Sequence, residues 1–414
     1  MEDYIKTSVK EGRIVFWEEI ARDGAQSKTI LSGEKRAYFA NKNASLFNGD
    51  AHKHLIFASG FPTAGKNEFN AIKALAEQVD TCYLATHGRP TRNDMDTSIE
   101  AIKAAKYPRL SFLIPSTQEK AQTIMKCDLE EAFQTGIDLV KYTKDKQPDF
   151  PLDIAIVDSP GADTSRLAEF LNEASENGVS ISKLCDSRGL FYPNELSRFY
   201  KNLASKLTSK VDLGVHFHND LSMALWNSIL MLQQGIRMVS TSWLGLAERS
   251  GLVSSEQILF VLFHETNLLN ERLGISNPEN LISGDFNLKM IVGLAKEIAE
   301  ELNIPIKTID PIIGSGLNSI STGLPFTNPK QFQPFDPKEV LGVEQEVVVT
   351  HMASKKVISH VAKQLGFEFN YDELSRILDI IKSKPYDSRN PVFKNSELSM
   401  IFNSIKNKKV GESF

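Results

Sequence analysis

The chain has 414 residues, of which 41% are hydrophobic, 24% charged and 9% aromatic, a globular composition with apolar material for two or three packed domains. Lys+Arg 47 against Asp+Glu 52 gives a formal net charge of −5, without the basic excess of a nucleic-acid binder. Three scattered cysteines (Cys82, Cys127, Cys185) do not make a disulfide framework or a C-x-x-C metal site; the acidic start and the lack of a membrane-length apolar run lead us to expect a reduced, cytoplasmic protein with no membrane partner.

Short runs rich in β-branched and aromatic residues read as strands at 14–20, 54–58, 81–85, 109–114, 152–157, 182–185, 213–217 and 238–242. Between them, 68–79, 98–106, 127–143, 165–177, 193–205, 221–234 and 254–265 carry helical periodicity. Eight strands alternating with helices in this span predict a (β/α)8 TIM barrel; a doubly wound open sheet is the alternative arrangement. Past residue 270 the pattern changes. Residues 310–337 are rich in Gly, Ser, Pro and Asn and read as an irregular connector, 344–349 as a short strand, 355–365 and 371–383 as helices, and the rest as a Lys-rich frayed tail. The expected division is a barrel domain at 1–270, a linker subdomain at 271–335 and a small C-terminal helical subdomain at 336–414.

The sharpest chemical signal is His216-x-His218, followed by Asn219-Asp220, at the end of the seventh predicted strand. Residues i and i+2 of a strand face the same way, so both imidazoles can converge on a divalent metal, or one can simply hydrogen-bond a neighbour. Arg22-Asp23-Gly24-Ala25-Gln26 ends the first strand, where Asp23 either caps a turn or adds an oxygen ligand. Barrel closure separates strands one and seven by strand eight alone and so brings Asp23 toward the histidines. His87 and Arg89, after strand three, are candidates to bind a carboxylate or phosphate, or form an exposed loop pair. Cys185, Trp17, Trp226 and Trp243 read as core.

These residues resemble the metal-dependent condensing enzymes and lyases that include 2-isopropylmalate synthase, homocitrate synthase, citramalate synthase and HMG-CoA lyase. The anchors are Arg22-Asp23-Gly24-x-Gln26, Gly60-Phe61-Pro62, Asp186-Ser187-x-Gly189, His216-x-His218-Asn219-Asp220 and Gly245-x-x-Glu248-Arg249-x-Gly251. The resemblance implies one divalent metal ion (Zn, Mn or Mg) on Asp23, His216 and His218, and a Claisen-type condensation of an acyl-CoA with a 2-oxo acid, as in amino-acid biosynthesis. It also implies a homodimer, with the segment 312–335 packed against the partner's barrel. Arg22 falls on the family's substrate-binding arginine, where it can also stabilise the developing alkoxide. Ser187 stands where the synthases usually have Thr and can bind the oxo-acid carboxylate, and Gln26 is expected to orient the ligands from behind.

The chain also departs from the family. The acidic position of the strand-two motif is Ala58, and Glu119 stands where a substrate-binding histidine usually follows strand four. Glu119 is therefore a candidate catalytic or substrate-binding carboxylate, or the start of a helix. After strand five, Val157 or Asp158 stands at an acidic position and Gly161 at a basic one, with Asp158 the candidate substrate contact. Leu252 replaces an Asn that can act as an extra ligand, and Gly314-Ser315-Gly316-Leu317-Asn318-Ser319-Ile320 has no histidine. His351 aligns near the linker histidine-serine motif and is a catalytic candidate. A lyase or aldolase running the reverse cleavage, and a metal-binding homologue without catalysis, are the other readings. No long C-terminal regulatory domain is expected.

Overall fold

Inward-facing β-branched and aromatic side chains on successive strands close a single cylinder. A computed structural model of the chain describes residues 2–27, 29–383 and 391–407. Eight strands pair in sequence order, all parallel: β1 (Val15–Glu18), β2 (Leu55–Gly60), β3 (Tyr83–Thr86), β4 (Pro108–Pro115), β5 (Leu152–Val157), β6 (Val179–Asp186), β7 (Leu213–Phe217) and β8 (Met238–Thr241). The ladder from Val15↔Met238 to Glu18↔Thr241 joins β8 to β1, so the open-sheet alternative is excluded and the (β/α)8 barrel stands. β6 is longer than the predicted 182–185. Its added N-terminal residues include Ser180, buried by polar partners that an apolar-run criterion does not detect.

Alternation assigns the interior. Val15 and Trp17 on β1, Ile56 and Ala58 on β2, Tyr83 and Ala85 on β3, Ile181 on β6 and Met238 on β8 form one buried cluster, joined by Ile5 from the helix Tyr4–Lys10. Gly214 on β7 makes room for this packing, because a Cβ there would lie 2.0 Å from the Met238 Cε. Continuing each alternation toward the strand ends brings Glu19, His87, Lys183, Cys185 and His216 inward.

The N-terminal mouth is closed by charge pairing. Asp3 caps the helix Tyr4–Lys10 by accepting from the Lys6 N–H at 3.1 Å, and the same carboxylate accepts from Arg109 Nη1 at 2.8 Å. Arg109, fully buried near the start of β4, also donates to Asp153 Oδ1 at 2.8 Å, to Ser180 Oγ at 2.7 Å, and from Nε to Asp153. Asp153 further accepts the Ile181 N–H at 3.0 Å.

The outer helices bury the faces that their periodicity predicts. Thr164–Glu176 buries Leu167, Ala168, Phe170, Leu171 and Ala174 and is capped by Asp163. Ala224–Gln233 buries Ala224, Asn227, Ser228 and Met231, and this i, i+3, i+4, i+7 face corrects one expectation: Trp226 lies off it and is 46% exposed, whereas Trp17 and Trp243 are core.

The chain divides into two compact units, Met1–Pro305 and Ile306–Phe414. Residues 271–305 lie in the barrel unit, whose helix Ile291–Glu301 buries Ile291, Leu294, Ala295 and Ile298. In the second unit, β9 (Ser319–Ile320) and β10 (Glu346–Val347) form a two-stranded parallel sheet. The helices Lys355–Gln364, Tyr371–Lys382 and Asn395–Asn407 enclose a core of Val357, Ile358, Val361, Ile377, Ile381, Leu398 and Phe402. Asn395–Asn407 corrects the expected frayed tail: Leu398, Phe402 and Ile405 repeat at helical spacing and are buried. The tail end, 408–414, lies outside the described residues.

Two outcomes follow from the buried polar groups of the barrel unit. Arg109→Met leaves Asp153 buried without its cation and is expected to cost about 3–5 kcal/mol in urea unfolding followed by circular dichroism, with most of the loss recovered in Arg109→Met/Asp153→Leu. His54 has Nδ1 2.8 Å from the Ile14 carbonyl and Nε2 accepting the Ser283 N–H at 2.9 Å, and burial pushes its pKa down to about 4. The neutral ring's contribution is complete above the unfolded value of about 6.5 and is lost as pH falls toward 4. The stability advantage of the native protein over His54→Gln should shrink across that window in urea titrations; a pH-independent difference would remove His54 from the account.

Candidate metal centre

The exit of β1 folds back on itself. Arg22 N–H and Gly24 N–H both donate to the Glu19 carbonyl, at 2.9 and 3.0 Å, and a 3-10 turn Gly24–Ser27 follows. This turn presents Asp23 toward β7. Its Oδ2 lies 3.4 Å from His216 Nε2 and 3.8 Å from His218 Nε2, while Oδ1 accepts the Glu248 N–H at 3.1 Å. The two imidazoles are 5.2 Å apart, centroid to centroid, and inclined at 68°. His218 is fixed through its backbone, which donates to Asp186 O at 3.3 Å and bridges to Leu252. The next loop is held by Asn219 N–H on Gly251 O at 2.8 Å. Only glycine fits at 251, where φ is +86° and a Cβ would lie 1.9 Å from the Gly245 carbonyl.

One ligand atom each from Asp23, His216 and His218 can be chosen so that all lie within 4.8 Å of one another, and all three residues are buried. A carboxylate oxygen and two imidazole nitrogens suit a divalent transition ion. The electrostatics fit a metal as well. Asp23 is held well below the usual carboxylate range: burial works against its charge, but the Arg22 guanidinium and the two histidines outweigh it. Burial, helped by the neighbouring His216, pushes His218 down to about 4, which leaves a neutral ring able to ligate. The buried Nδ1 of His218 has no hydrogen-bond partner among the described residues.

Two further charged groups complete the cluster and were not singled out from the sequence. Glu19, fully buried, accepts from Arg22 Nε at 2.8 Å through Oε2, and its Oε1 lies 3.4 Å from His216 Nδ1 and 3.8 Å from Lys183 Nζ. Lys183 sits on the inward side of β6 with its ammonium 3.2 Å from the centroid of the Trp17 ring. Burial pushes Lys183 down to about 8 against the pull of Glu19. Burial disfavours the Glu19 charge too, but Arg22 and Lys183 hold it well below the usual carboxylate range. The signal was present in the alternations Val15, Trp17, Glu19 and Ile181, Lys183, Cys185; a charged residue in an inward register is worth the same attention as a motif.

The other candidates separate. His87 joins the cluster: burial first, then Arg22 and Lys183, hold its pKa well below the ordinary histidine value, and its ring packs 6.3 Å from Phe61. Arg89 is mostly exposed and is tied to Asp94 at 3.0 Å through Nε and Nη2. Ser187 accepts the Asp158 N–H at 3.1 Å, and the Asp158 carboxylate is gripped by Arg188 at 2.9 Å through both oxygens. Asp158, after β5, is thus ion-paired with an arginine from the β6 loop. Gln26 is exposed in the turn after Asp23. Glu119 is exposed in the first turn of the helix Gln118–Ile124, capped by Thr117, where a carboxylate favours the helix dipole. His351 lies in the second unit, just before Ser354, which caps Lys355–Gln364. Cys185 is buried, and its thiol is pushed up to about 12, as for an unreactive core residue.

Comparison with known proteins agrees with this geometry. The family profile described as HMGL-like matches residues 17–279. The 2-isopropylmalate synthase of Bacillus velezensis is 23% identical over 97% of this chain and 75% of its own length. That of Dictyoglomus turgidum is 25% identical over 88% and 69%. An HMG-CoA lyase from Acinetobacter baumannii, solved with coenzyme A and 3-methylmalate, shares the fold with a TM-score of 0.55 at 16% identity, over 71% of this chain and 92% of its own. With the profile matched from within β1 past β8 and the ligand triad at the barrel's C-terminal end, the chain belongs to the HMGL-like family.

Proposed function

We propose that the barrel holds one divalent metal ion on Asp23, His216 and His218 and condenses an acyl-CoA with a 2-oxo acid. The observation that carries the reading is the juxtaposition of this triad with Arg22, whose Nη2 lies 3.2 Å from Asp23 Oδ2. A bound divalent ion supplies Lewis-acid polarisation of a ketone oxygen. The chain's own groups account for the rest. Arg22 keeps its charge despite burial, because Glu19 and Asp23 flank it, and offers a fixed cation to an anionic substrate. His87 is held neutral, so its ring can accept a proton or donate one hydrogen bond at the same mouth. In the overall reaction the acyl α-carbon gives up a proton and bonds to the ketone carbon, the ketone oxygen takes up a proton, and water cleaves the thioester to release free CoA. Synthase relatives aligned over 97% of the chain, against 71% for the lyase fold, favour condensation over cleavage.

Asp23→Asn and His218→Ala are expected to stay folded by circular dichroism and to lose bound metal by elemental analysis; stoichiometric metal in either would refute the ligand assignment. Free-thiol release from acetyl-CoA, assayed against a panel of 2-oxo acids, should show one or more acids that stimulate it. With that acid, Arg22→Lys should reduce kcat by about 10²–10³-fold, the scale of a lost donor to a developing oxyanion.

A further inference from the structure

We infer that Glu19 is a positioning residue, which sets the tautomer of His216 and the aim of Arg22 from inside the barrel; the inference rests on the reading that Asp23, His216 and His218 hold a metal. Glu19 touches no reacting group. It is fully buried, directly beyond β1, with its backbone N–H on Thr241 O at 2.8 Å, so its side chain has a single inward direction. Oε2 takes the Nε–H of Arg22 at 2.8 Å, and Arg22 Nη2 reaches Asp23 at 3.2 Å, so the guanidinium is held at two points. Oε1 makes no hydrogen bond to any described residue and faces His216 Nδ1 at 3.4 Å.

A neutral imidazole carries one N–H. A carboxylate oxygen 3.4 Å from Nδ1, not hydrogen-bonded to it, favours the proton on that nitrogen and leaves the Nε2 lone pair, on the Asp23 side of the ring at 3.4 Å, available to a cation. His218 has no such partner at Nδ1, so the two imidazoles differ in what fixes them. Lys183, 3.8 Å from Oε1 and seated on Trp17, balances the charge that Glu19 brings into the barrel.

Removing Glu19 alone strands Lys183, so the informative variant is Glu19→Leu/Lys183→Met, which removes both charges at similar volume; Lys183→Met is its control. Thermal unfolding by circular dichroism establishes that each is folded. The measurements are manganese(II) affinity by isothermal titration calorimetry and the His216 ring 15N shifts of metal-free protein. The double variant should bind manganese(II) 10–100-fold more weakly, with His216 shifting from one tautomer to a mixture, while Lys183→Met keeps the native tautomer and affinity. Native affinity and tautomer in the double variant, or the same loss in Lys183→Met alone, would overturn the inference. Asp23→Asn measured alongside separates the two readings. Manganese(II) binding unaffected by Asp23→Asn counts against the metal site itself; binding lost there but retained in the double variant counts against Glu19 alone.

Discussion

Arg22 bridges two buried carboxylates, Glu19 at 2.8 Å and Asp23 at 3.2 Å, and the arrangement of the site depends on that bridge. Two carboxylates brought together inside a barrel repel each other and lose their hydration, a cost of several kcal/mol for each ion unless cations share the space. Arg22 and Lys183 provide those cations. The result is a locally balanced cluster in which both acids remain ionised and His218 and His87 are held neutral, states compatible with ligation.

The two ends of the barrel use similar chemistry to opposite effect. At the N-terminal mouth, Arg109 spreads its donors over Asp3, Asp153 and Ser180. The donors and acceptors of this network are met by one another. At the C-terminal end, Glu19 Oε1, His87 Nδ1 and His218 Nδ1 are buried without a hydrogen-bond partner among the described residues. Unmet polar capacity is costly in a folded interior, and these three groups lie where the βα loops converge, the end at which such barrels bind ligands.

The departures from the family pattern acquire a physical reading in three dimensions. The β1–β2 register, Trp17↔Ile56 and Glu18↔Phe57, carries Glu19 up beside Ala58, the position at which the strand-two acid is missing. Arg22 is paired there with a carboxylate from the end of β1. Leu252, in place of a further ligand, is buried and pairs with His218 through its backbone, so its part is to hold the ligand loop. The exposed helix-start position of Glu119 and the pairing of exposed Arg89 with buried Asp94 come from local helix chemistry, and neither Glu119 nor Arg89 is drawn into the buried cluster.

The barrel was legible because eight apolar runs of strand length are interleaved with seven amphipathic stretches, and the triad because His216-x-His218 and Arg22-Asp23-Gly24 are short motifs at strand ends. Periodicity misled where a residue sits one position off a buried face, as Trp226 does, and was passed over where lysines surround it, as in Asn395–Asn407. Glu19 and Lys183 illustrate the limit most directly. Each is an ordinary charged residue in its own segment, 164 positions apart by number (183 − 19), and becomes part of a site only because strand register turns both inward at neighbouring heights. Local sequence determines which segments become strands and which side chains alternate. Which charges meet is decided by closure of the barrel, since pairing energies between buried ions depend on distances that exist only once β8 has joined β1.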